Sequence, residues 1–94
     1  MRTATTRFET ANASRYLQQL CKHFAHKVAV EYDSQTGKAQ LPPGPASLAA
    51  DAQGLSIEVS GPDDDGLKKA KFIIEDHLLR FAHREQPAPL NWSV

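Results

Sequence analysis

The hydrophobic positions along this chain follow two spacings, and the changes between them predict the order of its elements. Small or apolar residues recur at every second position in residues 3–10, 28–33 and 55–59, which is the period of half-buried strands. Around Leu17 and Ile74 they recur three and four positions apart, which is the period of an amphipathic helix. The predicted order is therefore a strand, a helix, several strands, a second helix and a tail.

The first helix carries the clearest apolar stripe. Its start can be capped by Asn12 or Ser14. The stripe consists of Tyr16, Leu17, Leu20, Cys21, Phe24, Ala25 and Val28. Helical geometry places His23 at the margin of this stripe and points His26 away from it.

The second helix is predicted to begin at Ser60-Gly61-Pro62-Asp63, where proline is tolerated and aspartates suit the helix dipole. We expect it to run to about His83 or Arg84. Its stripe consists of Leu67, Ala70, Ile74, Leu78 and Phe81. His77 falls within this stripe and is predicted to face inward.

Two apolar residues of the second helix, Phe72 and Leu79, lie off the stripe. They need a cover, which either the tail or a second copy of the chain would supply. The tail begins after Gln86-Pro87-Ala88-Pro89, which ends the helix, and it alternates as a short strand or an apolar clasp. Its apolar residues are Leu90, Trp92 and Val94. The sequence leaves monomer and homodimer open.

Turn residues divide the middle of the chain into strands. Residues 34–37 and 51–54 predict turns, which makes residues 28–41 a hairpin. Residues 42–45, Pro-Pro-Gly-Pro, are expected to be irregular because proline lacks the backbone donor of a strand ladder. A short strand is predicted near Ala46 to Ala50.

Helices at both ends of an antiparallel meander predict the α+β class. We expect a two-layer sandwich in which two helices pack on one face of an antiparallel β-sheet, and residues 1–94 to form a single domain. The other face is predicted to be wet, since its positions are polar. These positions are Arg7, Glu9, Glu31, Lys38, Gln40 and Glu58.

Composition fits a small globular domain with one modest core. Of the 94 residues, 40% are hydrophobic and 23% are charged. The single cysteine, Cys21, cannot form an internal disulfide, which indicates a reducing compartment. Residues 1–6 carry no apolar signal core and no run approaches membrane-spanning length. We therefore expect a cytoplasmic protein that does not enter a membrane.

Net charge is zero, but basic residues concentrate on the two helices. The helical layer is therefore predicted to be the positive side of the molecule, which would steer an anionic partner. A solvated helix face is the simpler interpretation of the same charges.

A near-repeat is the most informative motif. Phe24-Ala25-His26-Lys27 closes the first helical segment and Phe81-Ala82-His83-Arg84 closes the second. Together with His23 and His77, these motifs place all four histidines on the two helices. Five residues near them are candidate ligand-binding residues: His23, His26, His77, Arg80 and Arg84.

Each candidate histidine also has a structural interpretation. His77 could be a proton donor, a metal ligand or a ligand contact. We favour a core histidine whose ring is satisfied by a backbone carbonyl or a neighbouring side chain. His23 and His26 could chelate a metal only with a third ligand, and the sequence shows none. Solvated histidines at a helix end are the simpler account, because their positive form suits the helix dipole.

Arg80 and Arg84 lie one turn apart and could hold a phosphate or carboxylate. An ion pair from Asp76 to Arg80, with Arg84 solvated, is the simpler account.

Complete catalytic and cofactor motifs do not occur in the sequence, which has no Gly-x-Ser-x-Gly elbow, phosphate loop or dinucleotide fingerprint. Cys21 is interpreted as a small core residue. The carboxylates of residues 63–65 are interpreted as partners of the helix dipole. Nucleic-acid binding is disfavoured, since it needs a larger basic surface with interleaved aromatic residues.

Residues 15–28 and 77–85, together with Trp92, resemble a small bacterial family, the domain-of-unknown-function family 2218. The positions that match its motif types are Arg15, His23, His26, His77, Arg80, Phe81, Arg84 and Trp92. The resemblance implies a compact bacterial α+β domain and supplies no catalytic residue. It also implies that some relatives accompany siderophore-interacting flavin reductases, so an accessory role in iron handling is one expectation.

Three functions follow as alternatives. The leading hypothesis is a non-enzymatic binding or accessory domain that holds a small anion, a metal complex or a partner protein at the candidate residues. The second is a small enzyme that uses His77 as an acid or base, which requires a cleft reaching that ring. The third is a structural or interaction domain that associates through Phe72 and Leu79.

Overall fold

A computed structural model describes residues 2–87 and 89–93 of the chain, and its elements follow the predicted order. The strands are β1 (Arg2–Glu9), β2 (Val30–Tyr32), β3 (Thr36–Leu41), β4 (Gly44–Ala50) and β5 (Gly54–Gly61). The helices are α1 (Ala13–Phe24) and α2 (Asp64–Phe81), and a single 3₁₀ turn, His83–Glu85, follows α2.

The five strands form one open antiparallel sheet in the order β1-β5-β4-β3-β2. Strands β2 to β5 form a meander, and β1 adds to the free side of β5. The register aligns inward residues in rows, so that Val59 lies between Ala4 and Ala46. Both helices pack on this inward face, α1 mainly against β3 and α2 mainly against β5. The α+β class is therefore confirmed.

The core lies between the helices and the sheet, and its largest fully buried side chains come from both layers. They are Leu17, Leu20, Leu55, Ile74, Leu78, Val59 and Cys21. The polar positions predicted for the other face of the sheet, from Arg7 to Glu58, are exposed. The alternation of small, apolar and polar residues therefore assigned the two faces correctly.

Pro45 corrects one expectation. Gly44 and Pro45 belong to β4, where they pair with Leu41 and Gln40 of β3, so only residues 42–43 form the turn. The ladder between β4 and β5 begins one residue later, at Ala46. Proline is tolerated at this end of β4 because the chain there pairs with a strand on one side only.

The two helices begin differently. Asp63 caps α2 by accepting a hydrogen bond from the Gly66 amide at 2.8 Å. Asn12 precedes α1 without capping it through its side chain, and the first turn of α1 carries no acidic residue. The first turn of α1 therefore has no negative charge of its own to complement the helix dipole.

Glu85, in the 3₁₀ turn, places a negative charge beside the start of α1. Its carboxylate accepts hydrogen bonds from Thr10 Oγ1 at 2.9 and 3.0 Å, from Asn12 Nδ2 at 3.0 Å and from the Tyr16 hydroxyl. The bond from Tyr16 is the main cause that lowers the pKa of Glu85. The segment after α2 is thereby fastened to the start of α1.

The tail forms a clasp on β1. Ser93 exchanges two backbone hydrogen bonds with Thr5, each 2.8 Å long, and the Asn91 carbonyl accepts from Thr6 Oγ1 at 2.7 Å. Trp92 Nε1 donates to Glu75 of α2 at 2.9 Å. Leu90 and Trp92 pack against the core, whereas the predicted third member of the alternation, Val94, lies outside the described residues.

None of the described helices is both long enough and apolar enough to cross a bilayer.

Candidate functional site

The repeated motif marks the ends of the two helices. Phe24 is the last residue of α1 and Phe81 the last of α2, and each is followed by an alanine at the C-cap position. His26 and His83, which come next in the two copies, are exposed. The helices therefore end earlier than predicted, and the repeat itself does not build a common pocket.

Four aromatic rings from the last turns of the two helices form a cluster instead. The His23 and His77 rings lie 4.7 Å apart between their centroids, and the Phe24 ring meets His77 edge-on at 5.2 Å. Phe81 meets His23 edge-on at 6.0 Å. One candidate histidine from each helix is therefore brought into direct contact with the other.

The orientation of the His77 ring is fixed by its own helix. Its Nδ1 lies 2.7 Å from the Ile73 carbonyl, so this nitrogen carries the proton and donates. The predicted satisfaction by a backbone carbonyl therefore holds for Nδ1. Among the described residues, no group forms a hydrogen bond with Nε2 of His77 or with either ring nitrogen of His23. In neutral His77, Nε2 keeps a lone pair that can accept a proton or a hydrogen bond.

These histidines line a cavity of about 220 Å³ between the end of α1, the middle of α2 and the β3–β4 turn. We call this cavity the histidine cleft. Its lining residues are His23, Phe24, Lys27, Val28, Leu41, Pro42, Ile73 and His77. Most of its walls are apolar, and its polar groups are two imidazoles and one ammonium group. This combination is typical of a site for a small organic ligand.

The electrostatic environment of the cleft is positive. The pKa of His23 is lowered, first because the contacting rings remove water from part of the imidazole. The remaining causes are electrostatic repulsion from nearby basic groups, His77, Lys27, His26 and Arg80. His23 as a whole residue is exposed, so a ligand can reach the uncovered part of its ring. An anion bound there would relieve this repulsion.

The other three candidates lie outside the cleft. His26 is exposed in the turn after α1, and Arg84 is exposed in the 3₁₀ turn. Arg80 forms the predicted ion pair with Asp76, at 3.2 Å, and its side chain is largely exposed. His26 and Arg80 thus contribute positive potential at His23 without lining the cavity.

Among the described residues, no group of three or more His, Cys, Asp or Glu side chains is placed to hold a metal ion. Cys21 lies in the core, where burial raises the pKa of its thiol to about 11. It is therefore a weak nucleophile near neutral pH.

Sequence reasoning missed the apolar walls of the cleft and its lysine. Lys27 belongs to the repeated motif, and Ile73 lies one helical turn before His77 on the same helix face. Both could therefore have been predicted from the sequence as neighbours of the candidate histidines. Leu41 and Pro42 could not have been predicted in this way, because they come from a distant hairpin that only the folded sheet brings beneath the helices.

Comparison with known proteins finds one family and one solved structure. A family described as "Uncharacterized protein conserved in bacteria (DUF2218)" matches residues 5–93. The chain is also similar to the NMR structure of PA4090 from Pseudomonas aeruginosa, with 30% sequence identity and a TM-score of 0.82. This similarity covers 99% of the present chain and 96% of that one. No curated protein matches.

Proposed function

This chain belongs to the DUF2218 family of uncharacterized bacterial proteins, and from the geometry of its histidine cleft we propose that it is a non-enzymatic binding domain for a small organic anion. The observation that carries the proposal is the contact of His23 with His77 at an apolar cavity. Lys27 and a ring N–H of His23 would receive the negative group of the ligand. The His77 ring and the apolar walls would pack against its body.

The size of the cavity limits the ligand. At about 220 Å³ it is smaller than the cavities that hold drug-sized molecules, which begin at roughly 300 Å³. A single ring or a short aliphatic chain fits such a volume. An aromatic carboxylate combines a ring of this size with one negative charge, so benzoate is a suitable first probe.

The test is a titration of the protein with benzoate, followed by amide and histidine signals in NMR and by the melting temperature. A ligand that prefers the folded state raises that temperature. Benzamide has the same shape as benzoate without the charge, and it should bind more weakly than benzoate. Inorganic phosphate has the charge without the ring, and it should also bind more weakly than benzoate. The histidine signals that shift should be those of His23 and His77.

Matched histidine variants locate the site. His23→Ala and His77→Ala should weaken benzoate binding about tenfold, equivalent to about 1.4 kcal/mol. His26→Ala removes a histidine three residues away that does not line the cleft, and should leave binding nearly unchanged. Equal effects of His23→Ala and His26→Ala would contradict the proposed location. Failure of benzoate to bind at any concentration tested would contradict the proposed ligand class.

An iron-related role would be a special case of this function. The resemblance noted from the sequence implies that some relatives accompany siderophore-interacting flavin reductases, and catecholate siderophores contain aromatic groups with negatively charged oxygens. Dihydroxybenzoate therefore belongs in the same titration series. If it binds no more tightly than benzoate, the anion site stands and the iron-related role is rejected.

A small enzyme is the second candidate, because the cleft reaches His77 as that hypothesis requires. Nε2 would be the nitrogen that exchanges a proton, since Nδ1 is held by the Ile73 carbonyl. Conversion of a bound compound, observed by NMR and lost in His77→Gln while binding persists, would replace the binding function by catalysis.

A further inference from the structure

Phe72 is exposed to an unusual degree for a large apolar residue. It lies in the middle of α2 and is 67% exposed, whereas the phenyl rings of Phe24 and Phe81, at the ends of the two helices, are largely covered. Burying a phenyl ring stabilises a protein or complex through the hydrophobic effect, and this ring gains little of that stabilisation in the folded chain. The tail, which was one predicted cover, lies on β1 and against Glu75 and leaves Phe72 open.

Phe72 belongs to a wider apolar surface next to the histidine cleft. A depression of about 490 Å³ lies between the β3–β4 turn and α2. We call its lining the docking patch, and it consists of Pro42, Pro43, Lys68, Lys69, Phe72 and Ile73. The two prolines form a rigid wall and have no amide donor to leave unsatisfied when the surface is covered. Such a preformed surface loses little conformational entropy on binding.

The charges of the docking patch indicate what covers it. Lys68 and Lys69 are exposed, and among the described residues neither forms an ion pair. An acidic partner would supply the missing counter-charges. A second copy of the chain would not, because a twofold contact through Phe72 places the same lysines of both copies near each other.

We propose that the docking patch binds an acidic segment of another protein, with an aromatic or aliphatic side chain of that segment packed on Phe72 and its carboxylates paired with Lys68 and Lys69. The apolar anchor would supply most of the affinity and the charges the specificity. The docking patch shares Pro42 and Ile73 with the histidine cleft, but this inference does not require a small ligand in the cleft.

The test selects peptides from a random library on the immobilised full chain. The selected peptides should carry an aromatic or leucine residue flanked by aspartate or glutamate, and an isotope-labelled sample should show amide shifts around Phe72 when one of them is added. Phe72→Ser should weaken binding at least about tenfold. The control is Tyr32→Ser, which removes another exposed large apolar side chain, 43% exposed, and should leave binding unchanged.

A second pair of variants tests the charges. Lys68→Glu/Lys69→Glu should abolish binding of the acidic peptides, while Arg15→Glu/Lys22→Glu, which makes the same change in net charge on α1, should have little effect. Melting temperatures near that of the wild type would show that all four variants fold.

Three results would overturn the proposal. The first is enrichment of peptides that lack acidic residues or that bind Phe72→Ser equally well. The second is self-association of the wild type, in analytical ultracentrifugation, that is lost in Phe72→Ser. The third is Phe72-dependent binding to phosphatidylglycerol vesicles with no peptide selected, which would assign the patch to a lipid surface.

Discussion

At the scale of single residues, His23 and His77 show how neighbours change a side chain's role. Nothing in the sequence distinguishes either from an ordinary histidine. In the folded chain their contact removes water from part of the His23 ring, and basic groups lie near it. The two histidines of the repeated motif, His26 and His83, do not line the cleft. The motif therefore drew attention to the correct helix ends, whereas the histidines that line the cleft, His23 and His77, lie outside the repeated tetrad.

The lowered pKa of His23 predicts how stability depends on pH. The unfolded chain binds a proton near the usual value of 6.5, and the folded chain binds it only at lower pH. The contribution of His23 is therefore fully present above about pH 6.5 and is lost as the pH falls toward the folded pKa. Urea denaturation of His23→Gln should show a smaller loss of stability over this range than the wild type.

A direct titration of the His23 ring by NMR separates the causes of this shift. Lys27→Gln removes one of the nearby positive charges, and so should raise the pKa of His23 toward its usual value. An unchanged pH dependence in His23→Gln would show that this imidazole does not influence folding stability.

At the scale of elements, the close approach of α1 to β3 depends on one glycine. A Cβ atom at Gly37 would lie 2.6 Å from Cys21 Sγ and 3.4 Å from Leu17 Cδ2. Cys21 and Leu17 are fully buried, so neither side chain can move into solvent. Helix α1 can approach β3 this closely because the two residues that face each other, Gly37 and Cys21, are both small.

Gly37→Ala should therefore destabilise the protein by about 1–3 kcal/mol through overpacking. Cys21→Ala removes the sulfur that the new methyl group meets. The double variant should be more stable than the sum of the two single changes by about 1 kcal/mol, measured as a double-mutant cycle in urea.

The matched control is Cys21→Ser, whose Oγ keeps the same site occupied and should rescue Gly37→Ala less well. Additive effects of Gly37→Ala and Cys21→Ala would show that the strain lies elsewhere.

Local signals fixed the existence of the elements better than their ends. Helix α1 was predicted from its apolar stripe, yet Ala25 and Val28 lie beyond its last residue, Phe24. A helix ends where a turn gives more favourable packing and backbone hydrogen bonds than another helical residue would. No proline or glycine marks the end of α1 after Phe24. The misassigned Pro45 has a related cause, since the prohibition on proline depends on which sides of a strand are paired.

At the scale of the whole molecule, the tail closes the fold by joining its two ends. It pairs with β1 through Thr5 and contacts α2 through Trp92, so the same short segment holds the sheet and the helical layer together. It also covers part of the outer edge of β1, where unpaired backbone groups would otherwise recruit another strand.

Deletion of residues 91–94 should destabilise the protein by about 2–4 kcal/mol, because it removes a half-buried tryptophan and several hydrogen bonds. It should also promote self-association at high concentration, which light scattering would detect. Trp92→Phe is the milder control: it keeps an aromatic ring, loses the bond to Glu75 and should cost about 0.5–1.5 kcal/mol. Unfolding of the deletion variant at the wild-type urea concentration would show that the tail adds no stability.

The sequence by itself determined the α+β class, the order of helices and strands and the polar outer face of the sheet. It could do so because alternation and helical spacing depend on neighbours only a few positions apart. The family resemblance also depended on sequence alone and is confirmed.

Only the tertiary structure decided which residues meet. His23 and His77 are 54 positions apart, and Pro42 reaches both the cleft and the docking patch from a separate hairpin. Likewise, the sequence left open whether the tail covers Phe72, and only the folded chain, in which the tail lies on β1 and against Glu75, shows that this ring stays exposed. These contacts join residues distant in the chain, and packing of the two layers against one core sets their distances.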